Sequence, residues 1–472
     1  AATVKVSDLW RWDGAVDRGP YAVIGLVGFA IKHNLDRAVA SLVFDRHWEL
    51  FNYYIPPGQA LRITSLPRQE AVFFAAMVAI SLPFIWVGVA LTLRRLRSAG
   101  LPTWLVVCFF LPVLNLLFFL LLCVIPARDH ALDAAALRAG RMNRTLARII
   151  PESPLGSAAM AILLVLPFSI AAVLLGVSVF AEYGWGLFVA LPFSVALAAV
   201  LLYGFHRQRS FLACEGVASC AVILSGVALA ALAIEGVVCI LMAAPLGLML
   251  AWMGGAVGYA IQRRPSLPRE APAMLALLLL FAPGTMSVEH LQPGQPPLVA
   301  LATSIEVAAP PKVVWRHAVS FAQLPEPDDW LFHTGIAYPT RATMYGSGAG
   351  AVRHCTLSTG SFVEPIEIWD APRRLAFAVT MQPAPMQEWT PYEHIDPAHL
   401  HGYLSSERGE FLLTALPGGR THLQGTTWYR NHMWPSAYWQ LWSDFVIHRI
   451  HGRVLRHVKQ LAEQQALPAP GR

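Results

Sequence analysis

Charged residues are scarce in this chain. Only 14% of its 472 residues are Asp, Glu, Lys or Arg, whereas soluble domains carry roughly 25%. Apolar and aromatic residues make up 56%, and the mean hydropathy is +0.49. These proportions exclude a wholly soluble, disordered or disulfide-stapled protein and predict an integral membrane protein.

Lysine and closely spaced cysteines are also scarce. The chain has four lysines, so its net charge of +6 comes almost entirely from arginine, often in clusters beside apolar runs. Positive-inside topology explains such clusters better than phosphate contacts do, and no nucleic-acid partner is expected. The six cysteines contain no C-x-x-C pair, so neither a zinc knuckle nor a disulfide framework is indicated. We expect no metal and no other cofactor.

The apolar runs in residues 1–290 predict a polytopic helical membrane region. Five apolar runs are near the roughly 20 residues that a bilayer core requires: 71–93, 158–180, 186–205, 212–234 and 237–261. The apolar stretch 21–31 is short, but it can continue as one helix to residue 44 and form a first span. The loops alternate between arginine-bearing and cation-free, and Glu235 lies at a cation-free turn, where we expect it to be solvated.

Two segments allow alternative topologies. Segment 103–126 could cross once, but Pro112 and Asn115 interrupt it and arginine clusters flank both ends, which favours a broken hairpin of 103–111 and 114–126. The last apolar run, 271–286, contains Pro272 and Pro283, which leave only a short uninterrupted helix. It either crosses, which the charge alternation favours and which would place the following residues outside the cytoplasm, or it dips back or lies flat, which would leave them in the cytoplasm.

The predicted domain plan has five parts. Residues 1–126 form a first membrane subdomain, 127–157 a basic cytoplasmic loop and 158–290 a second membrane subdomain. Residues 291–299 are a proline-rich linker, and 300–465 are a water-soluble domain that holds eight of the fifteen tryptophans. In that domain we expect a strand at 301–307, a helix from Pro310 to about Leu324, strands near 341–347, 351–358, 363–369 and 374–380, two longer strands at 403–416 and 420–431, and a closing helix over 436–463.

The soluble part resembles a known superfamily. Residues 304–315 read SIEVAAPPKVVW, which is similar to the strand, Ala-Pro, x-x-Val-Trp opening of the SRPBCC superfamily, whose members include START-like lipid carriers and polyketide cyclases. The resemblance covers about 300–463. It implies a helix-grip fold, with a curved antiparallel sheet around a long C-terminal helix, and a cavity for an apolar or amphipathic small molecule. The overall fold class is therefore a polytopic α-helical membrane region plus this α+β domain.

The first membrane subdomain has a resemblance of its own. Residues 92–104 read TLRRLRSAGLPTW and are followed by LPVLN at 111–115. This is similar to an uncharacterised bacterial inner-membrane family with a short basic loop before a tryptophan, except that Ser98 stands where an acid is usual. The resemblance covers roughly 10–126 and implies no known chemistry.

Candidate ligand contacts are polar or aromatic residues that the strand pattern places near this cavity. The densest group is TTWYRNHMW at 426–434, either a cavity wall or ordinary packing at a strand-to-helix corner. An inward carboxylate would be a candidate general base, whereas His448 and His451 fit no recognised metal motif. Cys355 reads as a buried thiol, and GSGAG at 346–350 as a hairpin turn. The predicted cavity residues are His354, Glu364, Glu410, Thr427, Trp428, Tyr429, Arg430, Trp442 and His448, and no catalytic residue is assigned.

The sequence therefore favours a binding protein over an enzyme. The leading hypothesis is a multi-pass protein of the bacterial inner membrane whose tethered domain binds a lipid-like or other hydrophobic small molecule. Its expected partners are the lipid bilayer and that small molecule, and no protein partner is indicated. The alternatives are an enzyme of the polyketide cyclase or hydrolase type that uses the same cavity, and a non-enzymatic sensor or assembly module.

Overall fold

The fold is described from a computed structural model of the chain. It describes residues 9–48, 53, 68–99, 103–110, 115, 118–119, 122–123, 146–263, 267–291 and 296–466. Within these ranges a bundle of long apolar helices is followed by a single antiparallel sheet with a long closing helix. The predicted fold class, a polytopic helical region plus a helix-grip domain, is confirmed.

The helical part begins with α1 (Arg18–Phe44) and α2 (Arg68–Ala99). The remaining helices are α3 (Pro154–Leu174), α4 (Leu191–Tyr203), α5 (Phe211–Ala231), α6 (Val237–Gln262) and α7 (Leu267–Leu291). Wider π-helical turns extend α3 to Phe180 and precede α4 from Gly186. Among the described residues, five helices are long and apolar enough to cross a membrane: 71–99, 154–180, 186–203, 211–231 and 237–262.

The first helix extends as predicted, because residues 18–44 form one continuous helix, but it is not among the five helices named above as long and apolar enough to cross a membrane. The contacts of segment 103–123 favour a hairpin over a single crossing. A short 3-10 helix (Thr103–Phe110) leaves the end of α2, yet Leu122 returns to that end, where its carbonyl oxygen accepts a hydrogen bond from Arg95 Nε at 2.8 Å. Of the predicted break at Pro112–Asn115, Asn115 is among the described residues and 112–114 lie outside them.

The expectation for 271–286 needs a correction. Its two prolines do not shorten the helix, because α7 is continuous over 25 residues and is therefore about 37 Å long, enough to cross a bilayer core of roughly 30 Å. Near its C-terminal end, Glu289 accepts hydrogen bonds from the backbone amides of Trp185 and Gly186, the latter at 3.0 Å. The Glu289 carboxylate therefore caps the first turn of the helical segment that begins at Gly186.

The sheet has seven strands, and each strand pairs antiparallel with its neighbours in the order β1-β7-β6-β5-β4-β3-β2. The strands are β1 (Val299–Val307), β2 (Pro339–Tyr345), β3 (Val352–Leu357), β4 (Gly360–Asp370), β5 (Arg374–Ala378), β6 (Leu404–Leu416) and β7 (Arg420–Asn431). A short helix α8 (Pro311–Val319) follows β1, and α9 (Ser436–Ala466) closes the fold. Helix α8 ends before the predicted Leu324, because Ser320 is extended and Phe321 pairs with Ala342.

Three buried clusters matter for the functional site. One runs through both membrane subdomains, and a second fills the space among the sheet, α8 and α9. The third joins the two parts of the molecule, because Val238 of α6 packs with Leu331, Phe332, Met386 and Leu400 of the soluble part. The sheet is therefore docked on one end of the helical bundle.

Candidate functional site: a cavity and a buried polar cluster

A cavity of about 170 Å³ lies between the sheet and α9. One wall is the apolar face of α9, with Val446, Ile447, Ile450 and Val454. The sheet contributes aromatic side chains, and the segment between β5 and β6 closes one side with residues 382–385. We refer to residues 381–402 as the insertion. The cavity is mainly apolar with a few polar groups, as small-molecule sites usually are.

The most deeply buried polar groups of the wall are Arg353 and Glu364. Arg353 Nη1 donates a hydrogen bond to Glu364 Oε2, and Arg353 Nε donates to the carbonyl oxygen of Val319 at 3.1 Å. The guanidinium also lies 5.4 Å and 5.5 Å from the ring centres of Phe377 and Phe411. Burial raises the pKa of Glu364 above its usual value, while the charge of Arg353 opposes that rise.

His451 is the titratable group that α9 presents to the cavity. Its Nε2 lies 2.8 Å from Thr427 Oγ1, and its Nδ1 lies 3.0 Å from Thr303 Oγ1. Burial, with a smaller contribution from His448, lowers the pKa of His451 to about 4. The imidazole is therefore neutral at pH 7, and its low pKa makes it a weak proton acceptor.

Three of the nine predicted cavity residues line this cavity: Glu364, Glu410 and Thr427. The carboxylate of Glu410 is engaged by Arg374, at 2.8 Å from its Nε. The cavity wall does not include the other six: His354, Trp428, Tyr429, Arg430, Trp442 and His448. Strand alternation accounts for His354, which lies on the face of β3 opposite Arg353 and packs against Tyr345.

The remaining predicted residues have other contacts. Trp428 lies under the guanidinium of Arg408, and the Tyr429 hydroxyl donates to Asp444 at 2.5 Å. Arg430 donates to the carbonyl oxygen of Pro296 at 2.7 Å, at the start of the soluble part. His448 is exposed on α9, with its Nδ1 2.7 Å from Thr303 Oγ1, and Trp442 is half-buried on the same helix.

A second polar cluster lies where the insertion meets the helical bundle. Cys239, in the first turn of α6, has its Sγ 2.8 Å from Glu388 Oε1 and 3.0 Å from His399 Nε2. His399 Nε2 is itself 3.0 Å from Glu388 Oε1, and both residues belong to the insertion. We call these three residues, together with Glu235 and Tyr183 of the bundle, the docking cluster.

The structure corrects the prediction that Glu235 is solvated. It does lie in the turn between α5 and α6, but it is only 8% exposed because the insertion covers it. Its Oε2 lies 3.1 Å from His399 Nδ1, and its Oε1 accepts a hydrogen bond from the Tyr183 hydroxyl at 2.5 Å. Burial, followed by the neighbouring charge of Glu235, raises the pKa of Tyr183 well above its usual value.

Backbone contacts fix the same interface. The amide of Val237 donates to the carbonyl oxygen of Trp389, and that of Trp434 donates to the carbonyl oxygen of Tyr183, each at 2.9 Å. The Tyr403 hydroxyl donates to the carbonyl oxygen of Ala181 at 2.5 Å. Buried polar groups of the bundle thus find partners in the soluble part.

Sequence reasoning did not find the docking cluster, because its members come from four separate stretches of the chain. Cys239 and His399 are 160 positions apart. The only signal was Glu235, an acid between two apolar runs, and its burial depends on an insertion whose docking position no local pattern encodes. Arg353 was missed because a charged residue on a strand usually faces solvent.

One family model matches the first membrane subdomain. The family model described as "Protein of unknown function (DUF805)" matches residues 9–132. This match confirms the resemblance to a membrane family over roughly 10–126. None of the curated proteins matches the chain.

Solved structures align with little more than a third of the chain. The Zhui aromatase/cyclase from Streptomyces sp. R1128 is 15% identical, with 37% of this chain and 100% of that chain aligned and a TM-score of 0.25. Truncated norcoclaurine synthase from Thalictrum flavum is 9% identical, with 36% of this chain and 95% of that chain aligned and a TM-score of 0.24. At these values the alignments carry no conclusion about activity.

Proposed function

We propose that this protein is a membrane-anchored binding protein for a hydrophobic small molecule, of the SRPBCC type, and that the cavity under α9 is its binding site. The observation that carries the proposal is the cavity itself. It is walled by apolar side chains and contains a few oriented polar groups, among them His451, Thr427 and the Arg353–Glu364 pair. These groups would orient the polar end of a ligand.

The size of the cavity restricts what can enter. A cavity of about 150 Å³ lined by apolar side chains holds one benzene molecule, and the cavity here measures about 170 Å³. We therefore infer a ligand that inserts one ring or the end of an acyl chain. The rest of a larger amphiphile would lie outside, toward the bilayer on which the domain is docked.

The charges of the bundle support a location on the outer face of a bacterial inner membrane. The turns at the docked end carry Glu182 and Glu235, whereas the turns at the opposite end carry Arg207, Arg209 and Arg263. Arginine-bearing loops stay in the cytoplasm in most membrane proteins. The docked end, with the cavity, would then face away from the cytoplasm.

One observation also favours an enzymatic variant of this function. His451 is the titratable group of α9 that borders the cavity, so it is the candidate for proton transfer with a bound carbonyl compound. The variant His451→Gln separates the two functions. A binding protein loses part of its ligand affinity and shows no turnover in either form, whereas an enzyme of the cyclase type loses turnover while it still binds.

The test uses the full chain in lipid nanodiscs. Mass spectrometry should find an amphiphile that co-purifies with the protein, and a fluorescent fatty acid should bind and be displaced by it. The variant Val446→Trp, which fills the cavity, should reduce binding at least tenfold. The matched control Leu441→Trp, on an exposed part of α9, should not. A protein that carries no amphiphile and takes up no probe would overturn the proposal.

A further inference from the structure

The docking cluster brings three metal-ligating side chains together. The Cys239 thiol, the Glu388 carboxylate and the His399 imidazole each offer one ligand atom, and these atoms all lie within 4.8 Å of one another. Their actual separations are 2.8, 3.0 and 3.0 Å. Two of the residues come from the insertion and one from the first turn of α6, so the site exists only in the docked arrangement.

The carboxylates of this cluster are poorly compensated. The Glu388 side chain is 0% exposed, and its Oε2 has no hydrogen-bond partner among the described residues. Within the same part of the chain, no lysine or arginine pairs with Glu388 or Glu235. A buried carboxylate is costly unless it is paired or coordinates a metal. The cluster therefore holds more buried negative charge than one imidazole balances.

We propose that Cys239, Glu388 and His399 bind a Zn²⁺ ion between the helical bundle and the insertion. A thiolate, an imidazole nitrogen and a carboxylate oxygen are the ligand types that zinc prefers. Binding replaces the thiol proton of Cys239 and the proton on Nε2 of His399 with the metal, and both protons are released to solvent. One thiolate and one carboxylate then balance the two positive charges of the ion.

The spacing is compatible with tetrahedral zinc after a small expansion. Zn–N and Zn–O bonds of about 2.0 Å and a Zn–S bond of about 2.3 Å place neighbouring ligand atoms roughly 3.3–3.6 Å apart. The three atoms are 2.8–3.0 Å apart. Side-chain rotations that move the ligand atoms apart by a few tenths of an ångström would therefore admit the ion. Three protein ligands leave the fourth coordination position for water.

Residues behind the ligands have the arrangement that zinc sites usually show. A ligating histidine commonly donates its other ring N–H to a carboxylate, which fixes its tautomer and orientation. His399 Nδ1 lies 3.1 Å from Glu235 Oε2, within ion-pair distance but without hydrogen-bond geometry, and the Tyr183 hydroxyl donates to the other oxygen of Glu235 at 2.5 Å. Glu235 is therefore placed to accept the Nδ1–H of a zinc-bound His399 after a small rotation of the ring.

The first experiment is metal analysis of the full chain, purified in detergent without chelators. We expect stoichiometric zinc by plasma mass spectrometry. After removal of zinc by chelation, added Co²⁺ should produce the near-ultraviolet absorption band of a thiolate–cobalt bond. Cys239→Ser should abolish that band, whereas Cys220→Ser, at an exposed cysteine of α5, should keep it.

Two further variants keep the test decisive if Cys239→Ser fails to fold. His399→Gln and Glu388→Gln should each weaken zinc binding at least tenfold, because each removes one ligand. Wild-type protein that takes up neither zinc nor cobalt stoichiometrically would overturn the proposal, and so would a cobalt band that persists in Cys239→Ser. Ile447→Trp, which fills the cavity from a position outside the hydrophobic cluster that contacts Cys239, should leave metal content unchanged, so that failure of the ligand proposal and failure of this one can be told apart.

Discussion

Arg353 and Glu364 face each other directly across β3 and β4 and form an ion pair within the cavity wall. Neither side chain is more than 7% exposed. A buried pair of this kind gives little net stability against apolar replacements of similar size, but loss of one partner leaves an uncompensated charge. The pair therefore makes the two strands interdependent.

Removal of one partner should be costly. We expect Glu364→Gln to lower the free energy of unfolding by about 3–5 kcal/mol, because Arg353 then keeps a buried charge without its counter-ion. The double variant Arg353→Met with Glu364→Leu should recover most of that loss. Thermal unfolding followed by tryptophan fluorescence in detergent measures both. Equal losses in the single and the double variant would contradict this account.

His451 should make the soluble part sensitive to acid. Its pKa is about 4 in the folded chain and near 6.5 when unfolded, so the unfolded chain binds more protons between these pH values. The contribution of neutral His451 to the free energy of unfolding is therefore fully present above pH 6.5 and is lost as the pH falls toward 4. The full loss corresponds to about 3 kcal/mol.

The control for this pH dependence lies three residues away on the same helix. His451→Gln should flatten the stability curve between pH 6.5 and pH 4, because glutamine carries no titrating group. His448→Gln, at an exposed position, should leave most of the slope intact. Chemical denaturation of the full chain at several pH values gives the comparison, and an unchanged slope in His451→Gln would refute the assignment.

A methyl group at Gly236 should loosen the docked insertion. A Cβ atom at this position would lie 1.7 Å from Glu388 Oε2, so either the carboxylate or the turn must move. We expect Gly236→Ala to increase amide hydrogen exchange at residues 385–400. Gly216→Ala is the matched control, because a Cβ there meets nothing within 4 Å and alanine favours the interior of α5. The same exchange rates in both variants would contradict a tight contact at Gly236.

The side of the membrane can be tested with reporter fusions. If the arginine-bearing turns face the cytoplasm, alkaline phosphatase fused after residue 472 should be active and green fluorescent protein fused there should be dark. A fluorescent protein inserted after Arg207, in the turn between α4 and α5, should be bright. A bright fusion at the C-terminus would place the cavity in the cytoplasm instead.

Local pattern was sufficient for most elements of this fold. Strand alternation and the turn at residues 417–419 predicted the long pair β6 and β7 within one residue of their ends. The closing helix, predicted over 436–463, is observed over Ser436–Ala466. At α7 the prolines led to a prediction of a short helix that is wrong. Contacts with neighbouring segments, among them the hydrogen bond from the Gly186 amide to Glu289, stabilise a continuous helix that its own sequence disfavours.

Side-chain partners were harder to predict than elements. Residues 427–430 were all assigned to the cavity although alternation places them on both faces of the strand, and only Thr427 lines it. Arg430, only three residues on, pairs instead with Pro296, a contact across 134 positions of the chain. The docking cluster was beyond local reasoning for the same reason, since its four stretches meet only when the insertion lies on the bundle.

The shared packing of Val238 with Leu331, Phe332 and Met386 has a consequence for anyone who divides this protein into pieces. A clone that starts at the proline-rich link would remove α6 and leave those three side chains uncovered. We expect such a fragment to aggregate, although its sheet is complete. The boundary of a stable fragment therefore does not coincide with the change in composition along the chain, because the small hydrophobic core around Val238 includes residues of both parts.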